Sequence, residues 1–575
     1  MPSVHSISIN NFRGIEHLEQ TFDENNLIVL IGRCDSGKST VLKAISLALC
    51  PYWNPSISSA DFHNEDITKP IEIIVTVEDV PEELLTEKKY GLYFRLLKDG
   101  QIVDDVGDGE PDSHVLTIKF VVDSNLEPKW YVTNGRNGIE DVEIKQSDRA
   151  RFKAFYISDY IDSQFTLSKG SPLYSLLTKS LPEGISVGKK LLDVTRDANE
   201  KVAEKNNFAE FDQSLSGIKD TAASLGLDLG DLKALLELKE NVYSQSSITL
   251  HEGDIPFHLR GKGAKRLLSI AIQLSLVEDG GIILIDEIEQ GLEPDRVVNI
   301  VKLLKTSPKG QVFISTHSSE SLCEVEYSNV YILQAGASQM GMCDKGMSSL
   351  LRTAPYTFFA KRIICCEGKT EYGIIRAFGE HIRQIYGRSL SSLGICPVNC
   401  CGGTNHLDWA PIFMSLGYDV SVFSDNDDLP QKYPERVSIL ENQNIPLFRW
   451  DEGCCTEQQI MKELPWEQIA DLLYYLLDNN SGQQIRIKDI VLKDADDVDS
   501  IPETRRDEIR LGISQKSKEN NKKGEKKYRW FKDIPGGEII GIKWTESISE
   551  LAQNSTLKSI YNDITSWILR DVKVD

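Results

Sequence analysis

No run of about 18 uninterrupted apolar residues occurs in the 575-residue chain, and the opening MPSVHSISINNFRG is too polar for a signal-peptide core. Neither a membrane span nor Sec export is expected. Basic charge is scarce: 64 Lys and Arg against 87 Asp and Glu leave a net charge of −23. That excludes a surface coated for nucleic acid, so any DNA contact must come from a local basic cluster. No C-x-x-C pair stands among the eleven cysteines, whose odd number and adjacent pairs at 365/366, 400/401 and 454/455 suit reduced thiols. A disulfide framework and structural zinc are both disfavoured, and a cytoplasmic location follows as the expectation. No internal repeat of about 20 to 50 residues is present.

What is present is an α/β pattern long enough for several domains. Short aliphatic strands (SISINNF, LIVLIG, Ile71 to Val77, Tyr90 to Leu97, Val115 to Val122) fill the first part of an α/β domain over 1–165. Residues 166–244 change to helix formers, as in LLDVTRDANEKVAEK and LKALLELKENV, and read as a helical insertion that could serve dimerisation. Strand character returns over 245–340, a Gly- and Ser-rich linker spans 341–356, and a second α/β domain with a helical, basic C-terminal region fills 357–575.

GRCDSGKS, Gly32 to Ser39, fits G-x-x-x-x-G-K-[ST] between a strand and a helix. Such a loop wraps phosphates with backbone N–H groups at a helix N-terminus. Gly32, Asp35, Ser36, Gly37, Lys38, Ser39 and Thr40 are the candidate nucleotide-binding residues, with Lys38 reaching the β- and γ-phosphates and Ser39 holding Mg²⁺. The strand Ile282 to Ile285 ends in Asp286, placed for the same Mg²⁺, and Glu287, placed to polarise an attacking water.

A second acidic set lies downstream. RIICC runs into Glu367-Gly368-Lys-Thr-Glu371, and VSVFS runs into Asp425-Asn-Asp427-Asp428. Strand ends of a parallel sheet face one crevice, and oxygen-only donors suit Mg²⁺ or Mn²⁺.

The order N-F-R-G, GRCDSGKST, LRGKGAKRLLSIAIQLS, IILIDEIEQGLEPD, FISTH resembles ABC-type ATPases of the RecF, SMC and OLD (overcoming lysogenization defect) group. That resemblance implies heads that dimerise around ATP, with Gly261 and Gly263 in the signature, Leu292 to Asp295 in the loop meeting the neighbour, and His317 as switch histidine. Arg260 replaces the usual signature Ser and Cys34 a common Asn, departures that imply slow hydrolysis. E-G-x-x-E followed by D-x-D resembles the Toprim pattern of topoisomerases, primases and OLD nucleases. It implies a first metal site of Glu367, Asp425 and Asp427, a second with Glu371, a later acid at Glu457 (Asp451 or Glu452 as rivals) and a catalytic lysine at Lys532 (Lys526 or Lys527 as rivals). Lys516 to Lys532 is also the candidate DNA track.

Together these resemble an OLD-family nuclease of the kind shared by Gabija-type and retron-associated defence systems. The implied activity is ATP-regulated, metal-dependent DNA cleavage by a homodimer or larger assembly. Implied partners are DNA and an operon product: a helicase, or a reverse transcriptase with its RNA–DNA product. The alternative is an ATP-gated, non-cutting DNA scaffold resembling SMC or RecF heads.

Overall fold

The computed structural model describes all residues except 23–24, 53–54, 87, 105–112, 137, 158–164, 166–170, 180–210, 238–246, 278–279, 307–309, 428–431, 480–487, 489, 494, 519–529 and 573–575. The chain forms two units, Met1–Pro355 and Tyr356–Asp575.

In the first unit a parallel sheet runs in the order Ala154–Ile157, Ile282–Ile285, Gln311–Ser315, Leu27–Ile31 and Val330–Ile332, with Gly341–Met342 added antiparallel at its edge. A larger antiparallel sheet is built around Ser3–Phe12, Ile71–Glu78 and Ser113–Val122. The helix Lys38–Leu49 touches strands of both sheets. Nine of the twelve residues of KSTVLKAISLAL are buried, and from Val41 onward only Lys43 and Ser46 interrupt the apolar run, as suits a helix covered on most sides. Its last carbonyls still find donors. Trp130 Nε1 donates to the Leu47 oxygen at 2.8 Å and Arg149 to that of Cys50 at 2.8 Å.

The structure departs from the expected elements in three places. LKALLELKENV starts as a strand, Leu232–Glu237, antiparallel to Ser247–Glu252. Its helix-forming letters are overridden by a partner strand, which local propensity cannot report. The LLDVTRDANEKVAEK segment lies outside the described residues, while the helices Pro172–Lys179 and Asp212–Ser224 lie inside the expected insertion. The strand expected from Tyr90 begins only at Arg95, because Tyr90 to Tyr93 form a turn in which the buried Tyr90 hydroxyl donates to Asp148 Oδ2 at 3.0 Å. Most of the expected linker 341–356 belongs to the first unit, supplying the edge strand Gly341–Met342 and the helix Ser348–Thr353.

The second unit centres on a four-stranded parallel sheet in the order Ile395–Asn399, Arg362–Cys366, Asp419–Ser424, Leu447–Arg449. The helix Lys369–Tyr386 packs against Ile534–Glu546 at backbone distance. A Cβ on Gly537 would lie 2.1 Å from the Thr370 oxygen, and one on Gly373 2.3 Å from the Ile534 oxygen, so glycine at both places lets the helices meet. Thr370 Oγ1 completes the joint by donating to the Phe531 oxygen at 2.8 Å. The segment Phe531–Lys532 is thereby fixed beside the helix turn that carries Glu371. Among the described residues no helix is long and apolar enough to cross a membrane.

Candidate functional site

Leu27–Ile31 is buried throughout and delivers the phosphate loop, where Gly32, Asp35 and Gly37 have φ of 149°, 62° and 102°. A side chain at Gly32 would meet the Leu333 oxygen at 2.2 Å, so this turn requires glycine for space as well as for backbone. Lys38 is 4% exposed, and its ammonium donates to the carbonyls of Gly32 (3.0 Å) and Arg33 (2.8 Å). Burial holds its pKa below the ordinary lysine value, against the pull of Cys34, Asp286, Glu287 and Glu289. Ser36 is buried, while Ser39 and Thr40 are half-buried at the helix start.

The structure brings the second acidic strand end onto this loop. Asp286 Oδ1 accepts from Ser39 Oγ at 2.9 Å and Ser315 Oγ at 2.6 Å, and Oδ2 from the Tyr156 hydroxyl at 3.3 Å. Glu287 has φ of 48°, its N–H donates to Ser315 Oγ at 2.8 Å, and its carbonyl accepts from the fully buried Arg266 at 3.1 Å. Arg266 also donates to the Asp286 carbonyl. Glu289 accepts the His317 N–H at 2.6 Å and the Thr316 hydroxyl at 2.7 Å. Burial and Lys38 lower the His317 pKa, which leaves the ring neutral at pH 7. Gly261 and Gly263 open the helix Lys262–Leu276; a Cβ on Gly263 would meet the Gly291 oxygen at 2.5 Å, so the turn at Gly261 to Gly263 sits directly on the loop that precedes Leu292. Arg260, just before it, pairs with Glu252.

In the second unit, Glu367 and Asp425 leave the carboxyl ends of adjacent parallel strands, where the strand order reverses. Glu367 Oε2 accepts from Ser424 Oγ at 2.9 Å and the Asp425 N–H at 3.0 Å. Glu371, on the first turn of its helix, accepts the Gly368 N–H at 3.0 Å. Thr456 joins the acids: its hydroxyl lies 2.8 Å from Glu371 Oε1 and 2.8 Å from Asp425 Oδ1, and its N–H donates to the same Asp425 oxygen at 2.8 Å. The Trp450 indole donates to this hydroxyl as well, at 2.9 Å. One hydroxyl proton cannot serve two carboxylates, so the arrangement favours a proton on one of them. The electrostatics agree. Burial, with Asp425 and Glu371 as neighbours, pushes Glu367 up to about 8. Burial and Asp425 push Glu371 up to about 7, and burial raises Asp425 also.

Lys532 lies 2.7 Å from the fully buried carboxylate of Glu457. Burial works against its charge, yet Glu457, Asp425 and Glu371 together raise its pKa above the ordinary lysine value. Asp427 is half-buried on the loop two residues beyond Asp425. Lys526 and Lys527 lie outside the described residues. Asp451 is bound to Lys462 at 2.6 Å and Thr556 at 2.6 Å, and its pKa is lowered by those bonds.

The donor set fits a hard divalent cation. Four acids share one buried crevice with one lysine, burial and then the neighbouring carboxylates raise the pKa of Glu367 and Glu371, and Glu457 Oε2 is buried without a hydrogen-bond donor. Among the described residues no three His, Cys, Asp or Glu side chains already form a closed cage around one point.

Sequence reasoning missed Ser315, Arg266, Glu289, Thr456, Ser424 and His406. Thr456 and Ser424 directly adjoin singled-out acids, a signal that was available. Arg266 and Glu289 gain meaning only from pairing across the fold.

A family described as "AAA domain, putative AbiEii toxin, Type IV TA system" matches residues 27–323, just over half of the chain, and one described as "Overcoming lysogenization defect protein-like, TOPRIM domain" matches residues 358–427. The chain belongs to the OLD-type ATPase–Toprim proteins. Its layout is that of an ATP-dependent nuclease of the OLD type. Lys38, Asp286 and His317 fall within the matched ATPase segment of this OLD-type chain, and Glu367, Glu371, Asp425 and Asp427 within the matched Toprim segment; Glu457 and Lys532 lie beyond it. Similar solved structures include the Smc head domain bound to the C-terminal domain of ScpA from Pyrococcus furiosus (16% identity, 59% of this chain and 96% of that one, TM-score 0.36). RecF with ATP (14% identity, 59% and 99%, TM-score 0.35) and the SMC head domain from Thermotoga maritima (13% identity, 59% and 99%, TM-score 0.29) are others. No curated protein matches the chain.

Proposed function

We propose that this protein is an ATP-regulated, divalent-metal-dependent DNA endonuclease that acts in the cytoplasm in bacterial anti-phage defence. The observation that carries the reading is the buried convergence of Glu371, Asp425 and Glu457 on Lys532, with Glu367 beside Asp425 at the carboxyl ends of two adjacent parallel strands. Glu367, Asp425 and Asp427 would hold one Mg²⁺ or Mn²⁺, and Glu371 with Glu457 a second. When bound, such cations lower the pKa of an attacking water and stabilise charge on the attacking and leaving oxygens.

Lys532 keeps its proton and offers a fixed positive charge to the scissile phosphate. Thr456 spaces Asp425 from Glu371, so that neither acid turns away from the crevice. The basic stretch that ends at Lys532 supplies the DNA phosphate track in an otherwise acidic chain. In the head, Lys38, Ser39 and Asp286 bind ATP with Mg²⁺, Glu287 orients the attacking water, and His317 with the Gly261 to Gly263 turn senses the γ-phosphate in a dimer of heads. A helicase, or a reverse transcriptase with its RNA–DNA product, is the proposed operon partner.

Supercoiled plasmid incubated with Mg²⁺ or Mn²⁺, with and without ATP, tests this reading against Asp425→Ala. Metal-dependent nicking that the substitution abolishes is the expected result. Binding of ATP and DNA without cutting by either protein would sink the nuclease reading and favour the scaffold.

A further inference from the structure

The strand Ile395–Asn399 leads into a turn in which Cys401, Gly402 and Gly403 have φ of 62°, 80° and 68°. The two glycines adopt this conformation freely, whereas Cys401 is strained by it, and such strain persists where the surroundings hold it. Here the turn is stitched to the strand end that carries Glu367: the Gly402 N–H donates to the Glu367 carbonyl at 2.7 Å and the Cys400 N–H to the Cys366 carbonyl at 2.9 Å. The helix Asn405–Ser415 follows at once and drives His406 into the interior, 0% exposed. Burying an imidazole is unfavourable unless it is hydrogen-bonded, and no step of the proposed reaction uses this ring.

Its Nε2 lies 3.0 Å from Ser424 Oγ, which lies 2.9 Å from Glu367 Oε2. The ring nitrogen itself stands 3.8 Å from that carboxylate oxygen. With Glu367 ionised, the other neighbours of the serine hydroxyl, Glu367 Oε2 and the Asp425 carbonyl at 2.9 Å, only accept. In the Nε2–H tautomer His406 donates to Ser424, and the single hydroxyl proton then goes to Glu367 Oε2. Oε2 is saturated by Ser424 and the Asp425 N–H, which leaves Oε1 for a ligand.

We propose that His406 and Ser424 are a positioning pair that fixes the orientation of Glu367 toward a divalent cation. The proposal rests on the nuclease reading of this site. It gives the Gly402–Gly403 turn a physical task, which is to bring a neutral donor behind the carboxylate without adding charge.

The test is Mn²⁺ binding to the full chain without nucleotide, followed by electron paramagnetic resonance of the free ion, together with the Mn²⁺ dependence of nicking. Ser424→Ala and His406→Leu should weaken Mn²⁺ binding by about 10-fold or more and shift half-maximal nicking to match, as loss of a ligand's hydrogen-bond partner does elsewhere. His406→Gln, whose amide N–H replaces the donor, should stay within about threefold of wild type. Unchanged ATP binding and melting temperature report an intact fold, and Ser424→Ala decides if His406→Leu does not fold. Mn²⁺ binding that Glu367→Gln abolishes but Ser424→Ala and His406→Leu leave intact would overturn the pair and spare the nuclease reading. Absence of Mn²⁺ binding in wild type would overturn both.

Discussion

Asp286 and Asp425 each follow an aliphatic strand of a parallel sheet, yet their neighbours differ. Around Asp286 the donors are hydroxyls from Ser39, Ser315 and Tyr156, and Lys38 stands close enough to feel its charge. Around Asp425 stand Glu367, Glu371 and Glu457, with Lys532 as the compensating cation. The first arrangement suits a ligand that brings its own negative charge, such as a nucleotide phosphate with its metal. The second suits a ligand that brings positive charge and releases protons on binding. The difference lies in what meets the acids, since the strands that deliver them are alike: three hydroxyls reach Asp286, whereas Asp425 and Glu371 share the single hydroxyl of Thr456.

The strongest way to break this contrast is to remove the cation from each crevice. Lys38→Ala should weaken ATP binding by about 10- to 100-fold, the scale of charge-assisted hydrogen bonds to phosphate, while Mn²⁺ binding without nucleotide stays as in wild type. Lys532→Ala should leave ATP binding unchanged and abolish nicking. Equilibrium ATP binding, Mn²⁺ titration and the plasmid assay on both variants check this. A Lys38→Ala chain that loses Mn²⁺ binding without nucleotide would show that the two crevices are not chemically separate.

The pH dependence of stability should differ between the units in the same sense. Glu367 and Glu371 have folded pKa values raised from 4.5 to about 8 and about 7. Between those limits the folded second unit holds more protons than the unfolded chain, so its stability falls as pH rises through the window. Asp148 in the head is the reverse case: burial raises its pKa, but Lys89 and Tyr90 prevail and hold it low, so its contribution is present at neutral pH and is lost on acidification. Six of the eight tryptophans lie in the second unit, so tryptophan fluorescence follows its unfolding. In chelator, the fluorescence melting temperature should fall by several degrees from pH 6 to pH 8.5, and Mg²⁺ should restore more of it at the higher pH. Glu367→Gln should flatten the fall. A melting temperature that rises over this range would contradict the buried, mutually repelling acids.

How much of this could be read from residues alone follows the same division. The phosphate loop was legible because its glycines, lysine and serine are contiguous, and Glu367, Glu371 and Asp425 because strand and turn deliver them within a few letters. Lys532 and Glu457 reach the site through packing of distant helices at Gly373 and Gly537, so only the family resemblance pointed to them. His406 carried no local signal, since it sits on a helix and its partner Ser424 ends a strand 18 residues further on. Leu232–Glu237 misled for a related reason: its letters form helix when alone and strand when Ser247–Glu252 lies beside it.

The smallest expected effect concerns the turn beneath Glu367. Cys401 is exposed and has φ of 62°, a conformation that disfavours any side chain but that glycine adopts freely. Its thiol reaches only the Asn399 oxygen at 3.7 Å, a weak contact. Its two neighbours in the turn are already glycine. Cys401→Gly should therefore relieve strain of about 1 kcal/mol, partly offset by the greater freedom of glycine in the unfolded chain. The net result is a melting temperature equal to or slightly above that of wild type, with nicking and Mn²⁺ binding unchanged. A variant that is destabilised or inactive would show that the side chain of Cys401 matters to the Glu367 crevice, and that its backbone strain is held for the thiol and not for the turn.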